Sequence, residues 1–176
     1  YTRITVRVCI VDDILENAKY VQRVLADYET YLFDKPREAL EFVRVNPIDI
    51  LVTDQKMPGL TGIELVQGIR EFSDDFIALV ISAYTDSDDL IDAVNSNLIY
   101  KYIVKPFSPQ VLLQHVQRAS EKLELLRSNA TLQQRLRLQN EALQQENRAL
   151  RQNVAPAFDI FVGEDPAMNR VKELTQ

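Results

Sequence analysis

Residues 48–53 read Ile-Asp-Ile-Leu-Val-Thr, and this stretch decides the fold of the chain. It is almost continuously apolar and rich in β-branched side chains, which is typical of a strand that helices cover on both faces. A second such stretch, Ile-Ala-Leu-Val-Ile, occupies residues 77–81. We expect both stretches to be central strands of a parallel sheet.

Apolar runs and helical patterns alternate around these two strands. The predicted strands comprise residues 5–11, 29–33, 48–53, 76–82 and 100–104. The predicted helices between them comprise residues 14–26, 36–45, 61–72 and 87–94. Since crossovers between parallel strands are right-handed, this order predicts an α/β fold with a flavodoxin-like, doubly wound sheet of five strands.

The composition excludes several classes of protein. The chain has 176 residues, of which 46% are hydrophobic and 26% charged, and this allows one ordinary domain and a smaller part. It contains neither the roughly 18 to 20 apolar residues of a membrane span nor a signal peptide, so we expect a cytoplasmic protein without a membrane partner. Cys9 is the only cysteine, which excludes a disulfide framework and a thiolate zinc site and favours a core position.

The net charge of −6 is unevenly distributed along the chain. Residues 1–110 carry 11 basic and 18 acidic side chains, a net charge of −7, whereas residues 111–176 carry 9 and 8, a net charge of +1. Because the phosphate backbone of a nucleic acid requires a basic surface, we expect this fragment to make no direct contact with nucleic acid.

Chemically useful side chains follow four of the predicted strands. Asp12 and Asp13 follow the first strand, and Asp54 follows the third. Ser82 ends the fourth strand, and Lys105 comes directly after the fifth. Because ligands of doubly wound sheets bind outside the carboxyl ends of the strands, we expect these five side chains to form one site.

This set of side chains predicts phosphoryl chemistry. Three carboxylates so close together repel one another unless a cation is present, and oxygen ligands without His or Cys favour Mg²⁺. A carboxylate beside a divalent ion is suited to attack a phosphoryl group, whose oxygens Lys105 and Ser82 are placed to bind. The predicted product is an aspartyl phosphate.

The motifs resemble those of bacterial two-component response regulator receiver domains. They are the acidic pair, Asp54 in Asp-Gln-Lys-Met-Pro-Gly, Ser82-Ala83 and Lys105-Pro106-Phe107, all in the order and at spacings that suit this family. The resemblance covers about residues 5–122, and we assign residues 1–122 to a receiver domain. It implies that Asp54 is the phosphoacceptor, that the phosphodonor is a sensor histidine kinase, and that the domain itself is not an enzyme.

The resemblance also implies roles for the residues around the phosphoacceptor. Asp13, the Asp54 side chain and the backbone carbonyl of Lys56 would hold Mg²⁺, with Asp12 assisting through water. Lys105 and Ser82 would bind the phosphoryl oxygens. Tyr102 stands where the family has its rotameric switch aromatic.

Three further expectations concern loops next to this site. The bond between Lys105 and Pro106 is expected to be cis. Where many receivers have Gly-Ala before the fifth strand, this chain has Asn97-Leu98, and Asn tolerates the left-handed conformation that ends a helix. Lys56 and Tyr84 flank the path of a hydrolytic water, and we hypothesise that their bulk and charge slow self-dephosphorylation.

A long helix is predicted over residues 108–153, because no Gly, Pro or aromatic residue occurs between Gln110 and Ala155. Its apolar positions form two sets that do not share one heptad register. The first set is Val116, Ala119, Leu123, Leu126 and Ala130, and the second is Leu136, Leu143 and Leu150.

We interpret this helix as a parallel, two-stranded coiled coil that pairs two copies of the chain. With the later leucines at heptad position d, Gln133, Asn140 and Asn147 fall at position a, where polar residues select in-register dimers at a cost in stability. The alternative is a single helix packed on its own receiver.

Pro156 is predicted to end the long helix, and residues 156–176 to begin an output domain. Residues 162–168, Val-Gly-Glu-Asp-Pro-Ala-Met, resemble the opening of the AAA+ ATPase domain in sigma-54-dependent transcription activators of the nitrogen-regulatory (NtrC) type. None of the four glycines belongs to a phosphate-binding Gly-x-x-x-x-Gly-Lys loop, so we expect no ATP binding by this chain. The missing initial Met and the helical pattern at the end predict an excised fragment.

The resemblance implies further partners in the full-length protein, namely the output domain and RNA polymerase. Two alternatives remain open from the sequence. The receiver could control an enzymatic output such as a cyclic-dinucleotide phosphodiesterase, or it could be a scaffold that is never phosphorylated. The intact acidic pair together with Lys105 argues against the scaffold.

Overall fold

The computed structural model describes residues 5–83 and 87–163. The strands are β1 (Arg7–Val11), β2 (Glu29–Phe33), β3 (Ile50–Asp54), β4 (Ile77–Ser82) and β5 (Lys101–Val104). The helices are α1 (Leu15–Val24), α2 (Pro36–Val45), α3 (Gly62–Arg70), α4 (Ser87–Asn95) and α5 (Pro109–Gly163).

The five strands form one parallel sheet in the order β2-β1-β3-β4-β5. β3 and β4 lie in its interior, and every residue in these two strands is buried. In the register, Val52 stands opposite Ile10 on one side and Leu79 on the other. The predicted flavodoxin-like, doubly wound sheet with central apolar strands is therefore confirmed.

Alternating side chains of the strands pack into two hydrophobic layers, one on each face of the sheet. On one face, Cys9 and Leu51 pack with apolar residues of α2, α3 and α4. On the other face, Ile10 and Val52 pack with apolar residues of α1 and the first turns of α5. Burial raises the pKa of the Cys9 thiol to about 12, so this side chain behaves as the small core residue that the sequence predicted.

Most element boundaries differ from the predicted ones by one or two residues. β3 includes Asp54 because this residue pairs with Ile81 in the parallel ladder. The pairing of β1 with β3 starts at Val8, because the N–H of Arg7 donates to the buried Asp49 carboxylate at 2.7 Å. β2 and α2 have the predicted bounds.

The chain divides into two units, residues 1–126 and residues 127–176. Within the first unit, Val116, Ala119 and Leu123 are buried in the layer that α5 shares with the sheet. Assigning these three residues to a coiled-coil seam was therefore wrong. The two apolar sets lack a common register because these three residues of the first set face the core of their own domain, whereas Leu126 and Ala130 of the same set are exposed.

In the second unit, the leucines of the later set remain exposed. Leu136, Leu143 and Leu150 have exposed fractions of 59%, 56% and 56%. The predicted coiled coil therefore depends on this second set alone. No helix in the described part of the chain has both the length and the apolar character needed to cross a membrane.

The long helix does not end at Pro156, where the sequence predicted its end, but continues to Gly163. An interior proline removes one N–H donor and crowds the carbonyl four residues before it, so Pro156 weakens the helix without ending it. Of the predicted output-domain segment, residues 156–163 belong to α5, and residues 164–176 lie outside the described residues.

Candidate functional site

Four strands deliver polar side chains to one edge of the sheet. Asp12 follows β1 directly, Asp54 and Ser82 are the last residues of β3 and β4, and Lys105 follows β5. β1 and β3 are neighbours, with Val11 opposite Thr53, so the chain places Asp12 beside Asp54. Asp12 and Asp54 are only 4% and 6% exposed. The edge thus holds two buried carboxylates side by side.

Lys105 is the cation that faces this pair. Its ammonium donates a hydrogen bond to Oδ1 of Asp54 and lies 3.8 Å from Oδ2 of Asp12. The backbone holds the lysine in place, because the N–H of Lys105 donates to the Ser82 carbonyl at 2.8 Å. The Lys105–Pro106 bond is cis, as predicted. One ammonium thus faces two buried carboxylates.

The Asp12 carboxyl is in an unfavourable environment for its charge. Burial raises its pKa, and the negative charge of Asp54 raises it further. The N–H of Ile14, which donates to Oδ1 of Asp12 at 2.9 Å, and the charge of Lys105 act in the opposite direction without cancelling the effect. The pair therefore carries more negative charge than Lys105 offsets.

The loop after β3 holds the second carboxylate oxygen of Asp54. The N–H of Lys56 donates to Oδ2 of Asp54 at 2.9 Å. With Lys105 on Oδ1, the carboxylate has a fixed orientation at the end of the strand. Gly59 allows the loop to turn, since its φ of +88° lies in the left-handed region.

The remaining predicted residues occupy the surroundings of this pair. Asp13 is exposed and lines an open cleft with Asp34 and Pro58. The Ser82 hydroxyl donates to the carbonyl of Ala83 at 2.9 Å. Tyr102 is half-buried and packs against the core layer on the α4 side.

Two expectations concern residues near the site. Asn97 has a φ of +59°, which confirms that it supplies the left-handed turn before β5. Tyr84, predicted to flank the path of a hydrolytic water, lies outside the described residues.

The residues at this edge fit a hard divalent cation such as Mg²⁺. Across residues 5–83 and 87–163, no three His, Cys, Asp or Glu side chains stand preassembled around a metal position. The donor set nevertheless consists of oxygen atoms alone, and two buried carboxylates, those of Asp12 and Asp54, face the single ammonium of Lys105. The donors available to the ion are Asp12, Asp13, Asp54 and the carbonyl of Lys56.

Sequence reasoning missed Gln55, which follows Asp54 and is 7% exposed. Its side-chain oxygen accepts the N–H of Ile63 at 3.1 Å, at the start of α3. The signal in the sequence was a polar amide placed directly after a buried strand and seven residues before Gly62.

The chain is similar in sequence to known regulatory proteins. A family model described as a response regulator receiver domain matches residues 8–117. The chain is 33% identical over 153 residues to the hydrogenase transcriptional regulatory protein HoxA of Cupriavidus necator, covering 86% of this chain and 32% of HoxA. It is 25% identical over 168 residues to the C4-dicarboxylate transport transcriptional regulatory protein DctD of Rhizobium meliloti, covering 94% of this chain and 33% of DctD.

The fold is also found in a solved structure, that of adenylate cyclase from Rhodopirellula baltica. The TM-score is 0.70 at 24% identity, covering 73% of this chain and 97% of that one, and this likeness concerns the fold alone. The chain spans about a third of the length of the two curated relatives. Since the family match extends from β1 into the first turns of α5, the chain belongs to the response regulator receiver domain family, as the sequence predicted.

Proposed function

We propose that Asp54 accepts a phosphoryl group from a sensor histidine kinase in a Mg²⁺-dependent reaction. The observation that carries this proposal is the ion pair between Lys105 and Asp54, at a sheet edge where Asp12 is also buried. The pair joins a fixed nucleophile to a fixed ammonium. Such an arrangement suits phosphoryl transfer, which depends on positioning and on charge stabilisation.

The reaction needs few groups from the protein. A carboxylate oxygen of Asp54 forms a bond to phosphorus, while the bond between phosphorus and the histidine nitrogen of the kinase breaks. The electron pair of that bond returns to the imidazole, which takes a proton from water. Lys105 moves from the carboxylate to an oxygen of the transferred group, and the N–H of Lys56 keeps the carboxylate oriented. Bound by Asp12, Asp13, Asp54 and the Lys56 carbonyl, Mg²⁺ would neutralise charge on the carboxylates and the phosphoryl oxygens.

Phosphorylation then shifts the population of two states of the receiver. The new group adds charge and strong hydrogen-bond acceptors at Asp54. The Ser82 hydroxyl leaves the Ala83 carbonyl to bind a phosphoryl oxygen, and Tyr102 turns inward. The face formed by α4, β5 and α5 repacks as a result. Leu112 and Val116 of α5 are buried against the sheet, which supports this helix as the receiving element.

The linker part of α5 passes the change to a second copy of the chain. We assign it to a parallel coiled-coil dimer, with Leu136, Leu143 and Leu150 at the seam. Their exposure of more than half in the single chain supports this assignment, because a helix with such a seam gains stability by pairing.

For the output we propose a sigma-54-dependent, transcription-activating AAA+ domain, which would act on RNA polymerase in the cytoplasm. Two relatives that align with most of this chain are transcriptional regulatory proteins, and they favour this output over a phosphodiesterase. The acidic receiver makes no direct contact with nucleic acid in this scheme.

The proposal is tested by the intact mass of the full chain after incubation with phosphoramidate, a small phosphodonor. We expect the parent to gain the mass of one phosphoryl group in the presence of Mg²⁺ and none in the presence of EDTA. Asp54→Asn, in which the nucleophile is replaced, should gain nothing. An unmodified parent, or equal modification of Asp54→Asn, would refute the assignment.

A further inference from the structure

The first backbone N–H groups of α3 are held by Gln55, the residue next to the phosphoacceptor. The N–H of Gly62 donates to the Gln55 carbonyl at 3.0 Å. The N–H of Ile63 donates to the Gln55 side-chain oxygen at 3.1 Å. The third N–H group, that of Glu64, donates to the Thr61 hydroxyl at 3.2 Å within a capping box. Two of these three N-terminal N–H groups of α3 thus donate hydrogen bonds to Gln55.

Gln55 is itself anchored to the sheet. Its N–H donates to the carbonyl of Ile81 in β4 at 2.8 Å, which extends the strand pairing one residue beyond Asp54. The side chain is buried, and an amide buried in this way needs its hydrogen bonds. The residue therefore connects β4, the end of β3 and the start of α3.

Gly62 shows how closely α3 approaches the phosphoacceptor. A Cβ atom added there would lie 2.5 Å from the backbone oxygen of Asp54 and 3.1 Å from the side-chain oxygen of Gln55. Only glycine allows the helix to begin against the last residue of β3. The N-terminus of α3 and the phosphoacceptor backbone thus form one packed unit.

The loop between these contacts comprises residues 56–61, and Gln55 closes it at its base. Lys56 is its first residue, and its N–H binds the Asp54 carboxylate. On the other side of the loop base, the capping box fixes Thr61. A loop closed at the base has fewer conformations, so less ordering is needed when the Lys56 carbonyl binds a ligand.

We propose that Gln55 is a positioning residue for the phosphoryl-transfer site, acting through the loop that presents the Lys56 carbonyl to Mg²⁺. This inference rests on the proposed function and deepens it. Gln55 touches neither the phosphodonor nor the reacting oxygen. By positioning the loop, Gln55 lowers the Mg²⁺ concentration that the reaction requires.

A merely structural role for Gln55 makes a different prediction. If the amide only stabilised the fold, its loss would reduce the amount of active protein and hence the maximal rate. The half-saturating concentration of Mg²⁺ would then be unchanged. Measuring both quantities therefore separates the two roles.

The test uses the full chain, with phosphoramidate as phosphodonor and a titration of Mg²⁺. Gln55→Met removes the acceptor but keeps the length of the side chain, and Gln55→Glu retains an acceptor for the Ile63 N–H. Gln67→Leu alters an exposed glutamine of α3 and is the matched control. Calorimetric titration of Mg²⁺ without phosphodonor gives a second reading that does not depend on turnover.

We expect Gln55→Met to raise the half-saturating Mg²⁺ concentration and the Mg²⁺ dissociation constant about 5-fold, the effect of one hydrogen bond. Its rate at saturating Mg²⁺ should stay close to that of the parent. Amide hydrogen exchange at Gly62 and Ile63 should become faster. Gln55→Glu should keep the slow exchange at Ile63, because its carboxylate still accepts that N–H, and Gln67→Leu should match the parent throughout.

The proposal is overturned if Gln55→Met keeps the half-saturating Mg²⁺ concentration of the parent, or if only its maximal rate falls. Should Gln55→Met melt below the assay temperature, both quantities are measured below its melting temperature, with Gln67→Leu alongside, and an unchanged half-saturating Mg²⁺ concentration there refutes the role. If the parent itself accepts no phosphoryl group at saturating Mg²⁺, the proposed function fails and this inference fails with it.

Discussion

Replacing Lys105 by Met tests the electrostatics of the site in the folded protein. The ammonium of Lys105 is bonded to Asp54 and lies 3.8 Å from Oδ2 of Asp12. At an effective dielectric constant of about 20, a charge pair at that distance is worth about 4 kcal/mol. The lysine side chain is 35% exposed, and solvent screening reduces this figure to about 2 kcal/mol. The bond between Lys105 and Asp54 adds to this figure, so we expect Lys105→Met to lower the free energy of unfolding by about 3 to 4 kcal/mol without Mg²⁺.

The measurement is urea denaturation in the presence of EDTA, followed by circular dichroism. Lys105→Met is introduced both into the parent and into the Asp54→Asn protein, and its cost is compared between the two. In the Asp54→Asn protein Lys105 faces only Asp12, and we expect its replacement to cost about 2 kcal/mol, the screened value of that pair alone. Added Mg²⁺ should reduce the deficit of Lys105→Met in the parent background, since it offsets the same carboxylates. An equal cost in both backgrounds would show that Lys105 and Asp54 are not coupled, and the account of the site would be wrong.

Three further predictions concern the linker, the loop after β3 and the start of α3. Leu143→Ser should weaken the dimer, as measured by light scattering. Leu138 is about as exposed as Leu143 but lies outside the heptad of leucines, so Leu138→Ser should leave the dimer intact. Equal effects of the two substitutions would refute the proposed seam. Lys56→Ala should shorten the lifetime of the aspartyl phosphate, measured by intact mass against time, and an unchanged lifetime removes Lys56 from that role. The hydrogen bond from the N–H of Thr61 lowers the pKa of Glu64 in the folded protein below 4.5, its value in the unfolded chain. The ionised carboxylate therefore stabilises the fold at pH values above 4.5, and this stabilisation is lost as the pH falls through the lower pKa of the folded state. Glu64→Gln should therefore be less stable than the parent at pH 7 and equal to it in acid, as thermal melts at several pH values would show; a constant difference would contradict the capping box.

The sequence predicted those features that depend on local pattern. β2 and α2 have the predicted bounds because the run of large apolar side chains ends at Phe33 and Pro36 marks the start of the helix. The meeting of Asp12, Asp54 and Lys105 followed from the parallel sheet, which brings strand ends to one edge.

Features that depend on three-dimensional packing were not predictable in the same way. Val116 and Leu123 have the spacing of a coiled-coil seam, and only their burial assigns them to the core of the domain. The contact between Gln55 and Ile63 joins residues eight positions apart, through a loop that no local pattern describes. At Pro156, the preference of the residue for helix ends was outweighed by the continuity of the helix.

The most direct test of the whole account is the size of the full chain in solution, with and without Mg²⁺ and beryllofluoride. Beryllofluoride stands in for the phosphoryl group on Asp54. Light scattering of the parent should show a dimer whose mass or hydrodynamic radius changes on addition of both reagents, and Asp54→Asn should show no change. A parent that is monomeric throughout, or whose mass and radius are the same in every condition, would contradict the coupling of Asp54 to the α5 dimer.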